Sequence, residues 1–224
     1  MSLRAAVPLY QHRGLSLVTA PTKEPVTAAE LQLHLRTDAA DFPDAGAYVT
    51  DARQEIETRA GVAFLTQTWR LALDRWPAGG EAWWDGVREG SIAALYGAAT
   101  QRSIALPRFP LQSITSVTVY DEDSNARSVT VADTFEVDLY SQPGRLTLKR
   151  GQTWPIALRA ANAIEIVFVA GYTSAATVPA PMKRAVKQLA AFLYSHRGDE
   201  CDPGDAYHAS GADALMAQYR PARL

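Results

Sequence analysis

The hydrophobic period of this 224-residue sequence changes twice, and that change limits the architectures open to it. Apolar residues recur at helical spacing up to Ala60, alternate with period two from Thr66, and return to helical spacing after Tyr172. Helices, then a run of strands, then helices again describe an α+β chain. The expected fold is a small helical bundle, two N-terminal helices plus a long C-terminal one, with an inserted antiparallel β-sheet or small barrel.

Local signals set the boundaries. Residues 1–26 are polar, proline-punctuated and aperiodic, and read as an N-terminal arm. "TAAE" at Thr27 to Glu30 is a capping box, so a short helix to about Arg36 follows, with Leu31 and Leu35 on one face. A second helix is predicted from about Asp44 to Ala60, with Val49, Ala52, Ile56 and Ala60 in line and Gly61 as its cap. Asp51, Arg53, Glu55, Glu57 and Arg59 read as its solvated face, and residues 27–65 as the helical part.

Residues 66–172 form the β part. "TQTWRLALDRW", "SITSVTVYD", "ARSVTVAD", "TFEVDLYS", "GRLTLKR" and "AIEIVFVAGY" read as strands. Phe135, Val137 and Leu139 alternate against Glu136, Asp138 and Tyr140, and "SQPG" supplies a turn, so 135–150 is a hairpin. Residues 78–102 look like a loop insertion, and its Trp83, Trp84 and Tyr96 are candidate partner contacts. "LPRFPLQSITSV" holds two prolines around Phe109 and serves as a stiff lead-in to the strand near Ile114. In 173–198, Met182, Val186, Leu189 and Leu193 mark the long helix, and 199–224 holds an acidic loop, a short helix and a tail.

Chemistry is hard to find. The net charge of −2 lacks the basic excess of a protein that grips DNA by its phosphates. A lone cysteine, Cys201, excludes an intramolecular disulfide and every CxxC motif. No secretory leader or membrane-length apolar run is apparent, so a soluble protein made in the cytoplasm is expected. Nucleotide, P-loop and HExxH motifs are missing, so no cofactor or resident metal is expected. His12, His34, His196 and His208 are scattered without ligand spacing. Asp199, Glu200, Asp202 and Asp205, flanked by His196 and His208, fit a flexible acidic loop better than a metal-dependent hydrolase site. A carbohydrate-binding module using the exposed aromatics Trp83, Trp84 and Tyr96 is the alternative from another class.

Four stretches go further together: "LVTAPTKEPVTAAELQLHLRTD", "VTDARQEIETRAGVAFLTQTWRLALDRWP", "LPRFPLQSITSVTVYD" and "VFVAGYTSAATVPAPMKRAVKQLAAFLYSHR". Within them "EPVT", "AGVAFLTQTW", "LPRFPLQSITSV" and "AGY" before a proline-led helix, then a closing "YR", occur in one order. This order resembles the head-tail connector, or adaptor, proteins of long-tailed phages and of phage-derived gene transfer agents, over nearly the whole chain. The insertion at 78–102 departs from that pattern. The resemblance implies a non-enzymatic virion protein of the particle neck, made in the bacterial cytoplasm. It implies a ring, expected to be twelve copies, beneath the portal. The portal lies on one side and a stopper or tail-terminator protein on the other, and DNA passes through the channel without specific binding. The family's C-terminal region tends to reach the portal, which makes Tyr219, Arg220, Arg223 and Leu224 the candidate portal contacts.

Overall fold

The computed structural model describes residues 13–76, 102–197 and 203–219, which fold as two compact units. The sheet unit is assembled from three pieces of chain, within 13–18, 68–106 and 111–169. Its larger sheet has five strands in the order β1 (Arg13–Thr19), β2 (Gln67–Leu73), β8 (Ile164–Ala170), β4 (Leu111–Tyr120) and β5 (Ala126–Val129). A second sheet has three, β3 (Ser103–Ala105), β7 (Arg145–Leu148) and β6 (Phe135–Asp138). The pairs β4–β5, β3–β7 and β6–β7 are antiparallel. The described strands thus make two separate sheets and not the closed small barrel that was one expectation.

Period two carries this unit as the alternation predicts. Along β8 the side chains of Ile164, Ile166, Phe168 and Ala170 are fully buried and the intervening ones are not. Trp76, Trp154 and Phe135 pack as an aromatic cluster, Trp76 stacking on Trp154 at 4.7 Å and donating its indole N–H to the Pro155 carbonyl at 2.6 Å. Three expectations need correction. The N-terminal arm contains β1, an edge strand with Leu17 and Val18 exposed, so it shows no one-sided burial pattern to read. "ARSVTVAD" pairs only to Val129, and Val131–Thr134 turn as a short helix, α3. The strand through Phe135 stops at Asp138, leaving Leu139 and Tyr140 exposed instead of continuing the alternation.

Asp138 explains that stop. Its carboxylate accepts the backbone N–H of Tyr140 and of Ser141, both at 3.0 Å, the Ser141 hydroxyl at 2.6 Å and Arg145 Nη2 at 2.7 Å. Such an Asx-type turn folds the chain back so that β7 pairs with β6, Phe135 opposite Leu148 and Asp138 opposite Arg145. The hairpin predicted over 135–150 is present.

The helical unit comprises 19–67, 107–110 and the described residues from 170 on. It contains α1 (Ala28–Leu35), α2 (Ala45–Ala60), α4 (Ala180–Ser195), α5 (Pro203–Ala209) and α6 (Ala212–Met216). The capping box forms as read: Thr27 N–H reaches Glu30 Oε2 at 2.7 Å, and Glu30 N–H reaches Thr27 Oγ1 at 3.2 Å. Gly61 closes α2 in the left-handed region. Leu31, Val49, Ile56, Met182, Val186, Leu189, Tyr207 and Met216 belong to one buried cluster. The supposed polar loop after residue 199 contains α5, because Ala206 and Tyr207 are only 1% exposed and give that segment an apolar face to dock.

Three extended pieces complete this unit. Ala63 N–H donates to the Phe109 carbonyl and Gly171 N–H to the Pro110 carbonyl, each at 2.8 Å. Phe109, expected beside the start of its strand, is 1% exposed within the helical core. At Gly171, φ is +115° and an added Cβ would lie 2.1 Å from the Leu65 carbonyl oxygen, so "AGY" admits no larger residue without moving backbone.

Two outcomes are expected. Gly171→Ala should lower the unfolding free energy by about 3 kcal/mol in denaturant melts, from overlap and left-handed strain together; an unchanged midpoint would contradict the close approach. The Ser141 hydroxyl first, then Arg145, hold the Asp138 carboxyl well below the usual aspartate range. Its folded pKa is depressed, so its contribution is full above the unfolded pKa and fades as pH falls through the folded one. An NMR titration should find Asp138 ionised after ordinary aspartates have protonated, and Ser141→Ala should raise its midpoint.

Candidate functional site

The charged face assigned to α2 is where the structure departs furthest from the sequence reading. Arg53 and Glu57 are 5% and 4% exposed, so they belong to the buried face and not to a solvated one. Burial of two charges is tolerated only when each finds partners. Glu57 Oε2 accepts Arg53 Nη1 at 2.7 Å, and Oε1 accepts the Phe64 N–H at 2.9 Å and Gln67 Nε2 at 2.6 Å. Arg53 Nε also reaches Glu24 Oε2 at 2.6 Å, and Arg108 Nη1 donates to the Glu57 backbone carbonyl at 2.7 Å. The spacing signal was present, since 49, 53 and 57 run in steps of four along the apolar line, but residue type overrode it.

Burial pushes the Glu57 carboxyl up, against the opposing pull of Arg53 and of its hydrogen-bond donors. A perturbed buried acid often marks a catalytic site. Here both oxygens are occupied by the fold itself, and Glu57 lines neither of two clefts found among the described residues. The arrangement ties α2 to residues 62–67 and to the "LPRFP" turn. It brings together Phe64 and Gln67 of "AGVAFLTQTW" with Arg108 of "LPRFPLQSITSV", two stretches far apart in sequence.

The surface offers contact faces. One cleft of about 330 Å³ in the helical unit is lined by His34, Lys183, Arg184, Lys187 and Gln188. Another of about 190 Å³ in the sheet unit is lined by Val119, Arg127, Ser128, Val129 and residues 153–156. Leu33, Tyr140, Ile156 and Leu158 are large apolar side chains left exposed, the first at 80%. Among the described residues, no group of three or more His, Cys, Asp or Glu is placed to hold a metal ion. His208 pairs with Asp213 at 2.8 Å, and His196 stacks on Phe192 at 4.0 Å.

Of the portal-contact candidates, only Tyr219 is described. It packs partly buried against the helical core. The Tyr172 hydroxyl is held above the usual tyrosine range by burial first and by Tyr219 second. Arg220, Arg223 and Leu224 lie outside the described residues, as do Trp83, Trp84 and Tyr96, Cys201 and the acids at 199, 200 and 202; so does the side chain of Asp205.

No protein-family model matches the sequence, and no curated protein matches it. Solved structures do. A chain in the neck of an empty gene transfer agent particle, computed with C6 symmetry, superposes with a TM-score of 0.71 at 24% identity, covering 94% of this chain and 97% of that one. A chain in the native particle's neck, computed with C12 symmetry, gives 0.66 at 25% identity over 94% and 97%. This protein has the fold of a gene transfer agent neck protein. A third match, from the virion of the native gene transfer agent particle, gives 0.69 at 25% identity over 94% and 96%. The resemblance read from the five ordered phrases and the likeness of the folds agree on the same kind of particle.

If Glu57 is a structural tie, Glu57→Ala should cost about 3–5 kcal/mol, because Arg53 loses a buried counter-charge. Glu57→Gln, which keeps the shape but sets an amide against donors, should cost roughly 1–3 kcal/mol. Chemical denaturation of both variants checks the order; equal small losses would place the charge in solvent after all.

Proposed function

We propose that this chain is a structural protein of a particle neck, a head-tail connector of a long-tailed phage or gene transfer agent, and not an enzyme. The observation that carries the reading is the near end-to-end likeness to neck chains, over 94% of this chain and 96–97% of theirs. The C6 and C12 symmetries of those necks support self-association as a ring, and the ring proposed here surrounds a channel for DNA. The neighbours along the axis are a portal above and a stopper or tail terminator below. A net charge of −2 suits a passage through which DNA slides, since many phosphate contacts would hold it. The surface suits contact as well, with shallow clefts and isolated apolar side chains where a catalyst would concentrate converging polar groups.

The tail from Arg220 onward is the proposed portal contact. Tyr219 contributes to core packing, so a truncation that begins beyond it separates docking from folding. Removing residues 220–224 should leave the melting profile intact and abolish co-sedimentation with purified portal rings. Electron microscopy of assembled particles with this chain traced in the neck is the direct test. Its presence in the capsid shell or tail tube would overturn the assignment, and unimpaired portal binding by the truncation would overturn the tail's role.

A further inference from the structure

A ring built from one kind of chain needs two different patches per copy, one to give and one to receive, because head-to-tail contacts are heterologous. The helical unit carries two such patches of opposite sign. The first is the cleft where α1 and α4 meet, lined by His34, Lys183, Arg184 and Lys187. Lys187 and Lys183 are close enough to Glu30 to help hold its carboxyl below the usual range, after the larger effect of the Thr27 backbone. The second is residues 36–51, where exposed Asp38, Asp41, Asp44 and Asp51 stand against one arginine, Arg36.

Their placement keeps them apart. The acidic segment is fastened to α1 through Gln32 Nε2, which donates to the Phe42 carbonyl at 2.9 Å. Gln32 lies about 160° around the helix from both Glu30 and His34, at 3.6 residues per turn, so the two patches flank α1 on opposite sides. Phe42 also packs on Tyr194 at 4.0 Å. Tyr194 is roughly 10–16 Å along α4 from Lys183 and Lys187 at 1.5 Å per residue.

We infer that the basic cleft of His34, Lys183, Arg184 and Lys187 receives the acidic segment around Asp38, Asp41 and Asp44 of a second copy of this chain, forming the lateral contact of the ring. The inference rests on the ring reading above and adds the residues that close it. Protein rather than nucleic acid fits the cleft: Glu30 is near its lysines, and Leu33, 80% exposed, stands one turn from Glu30 on α1 as an apolar contact. Opposed patches of this kind steer association and fix its register.

The test uses the full chain, with rings counted by electron microscopy and mass followed by light scattering, with and without portal rings. Lys183→Glu with Lys187→Glu, or Asp41→Lys with Asp44→Lys, should each cut the ring population about tenfold or more at equal concentration. A one-to-one mixture of the two variants should restore rings of alternating composition, which no misfolded variant can do. Arg184→Glu, on the exposed side of α4, should give a milder loss in the same direction. Rings as abundant as wild type in either charge-reversed variant, or mixtures that fail to rescue, would overturn the inference and leave the neck assignment standing. Intact rings that no longer retain DNA would overturn it in favour of a nucleic-acid face. Wild-type chain that forms no ring under any of these conditions would overturn the ring reading and this inference with it.

Discussion

Glu57 is a charge that α2 carries into the interior, and the neighbouring segments are arranged around the need to satisfy it. A carboxylate taken out of water costs several kcal/mol unless donors replace the lost hydration. The Phe64 amide, the Gln67 side chain and Arg53 supply those donors, and Arg108 occupies the carbonyl above. The donors come from α2 itself, from residues 64–67 and from Arg108, so satisfying one residue fixes the exit of α2, the approach to β2 and the proline-flanked turn before β4. An apolar residue at 57 would fill the space but would not select these partners over others, which is the specificity that buried polar networks provide at a cost in stability.

The same economy appears where backbones approach closely. Gly171 lies against Leu65 with no room for a side chain, and Gly171 N–H and the Pro110 carbonyl hold the third extended piece in place. These are features of a scaffold. Glu57, the buried acid at the centre of this arrangement, is likewise occupied by the fold's own hydrogen bonds. Among the described residues the surface carries two clefts and a few exposed large apolar side chains, features of the kind that contact between proteins uses.

Much of the fold could be read from the sequence because period, capping and turn chemistry act locally. The Thr27 box, the Gly61 cap, the β6–β7 hairpin and the line through Met182, Val186 and Leu189 all follow from residues within one or two turns of each other. What escaped depended on distant partners. Arg53 and Glu57 looked solvated because their partners are distant in sequence or charged themselves: they pair with each other, Arg53 pairs with Glu24, and the Gln67 amide donates to Glu57. β1 was missed because an edge strand exposes both its faces, and α5 because its buried pair, Ala206 and Tyr207, is too short a run to show a helical period. Of the proposed contacts, the aromatics of the 78–102 segment and the terminal arginines are named from residue type alone, whereas the basic cleft joins His34 to residues about 150 positions away and has no linear signature.

Both units are discontinuous: each is stitched from segments that lie on either side of the other in sequence. Synthesis proceeds from one end, so the sheet unit lacks β8 until residue 170 has left the ribosome, and the helical unit lacks α4 to α6 for longer still. The helical unit cannot be completed until α4 to α6 are made, whereas the last segment of the sheet unit ends at Val169, so it is the apolar faces of α1 and α2 that wait longest for their partners. The order of synthesis therefore separates the two units: every segment of the sheet unit has been made before α4, the long helix that packs into the core begun by α1 and α2.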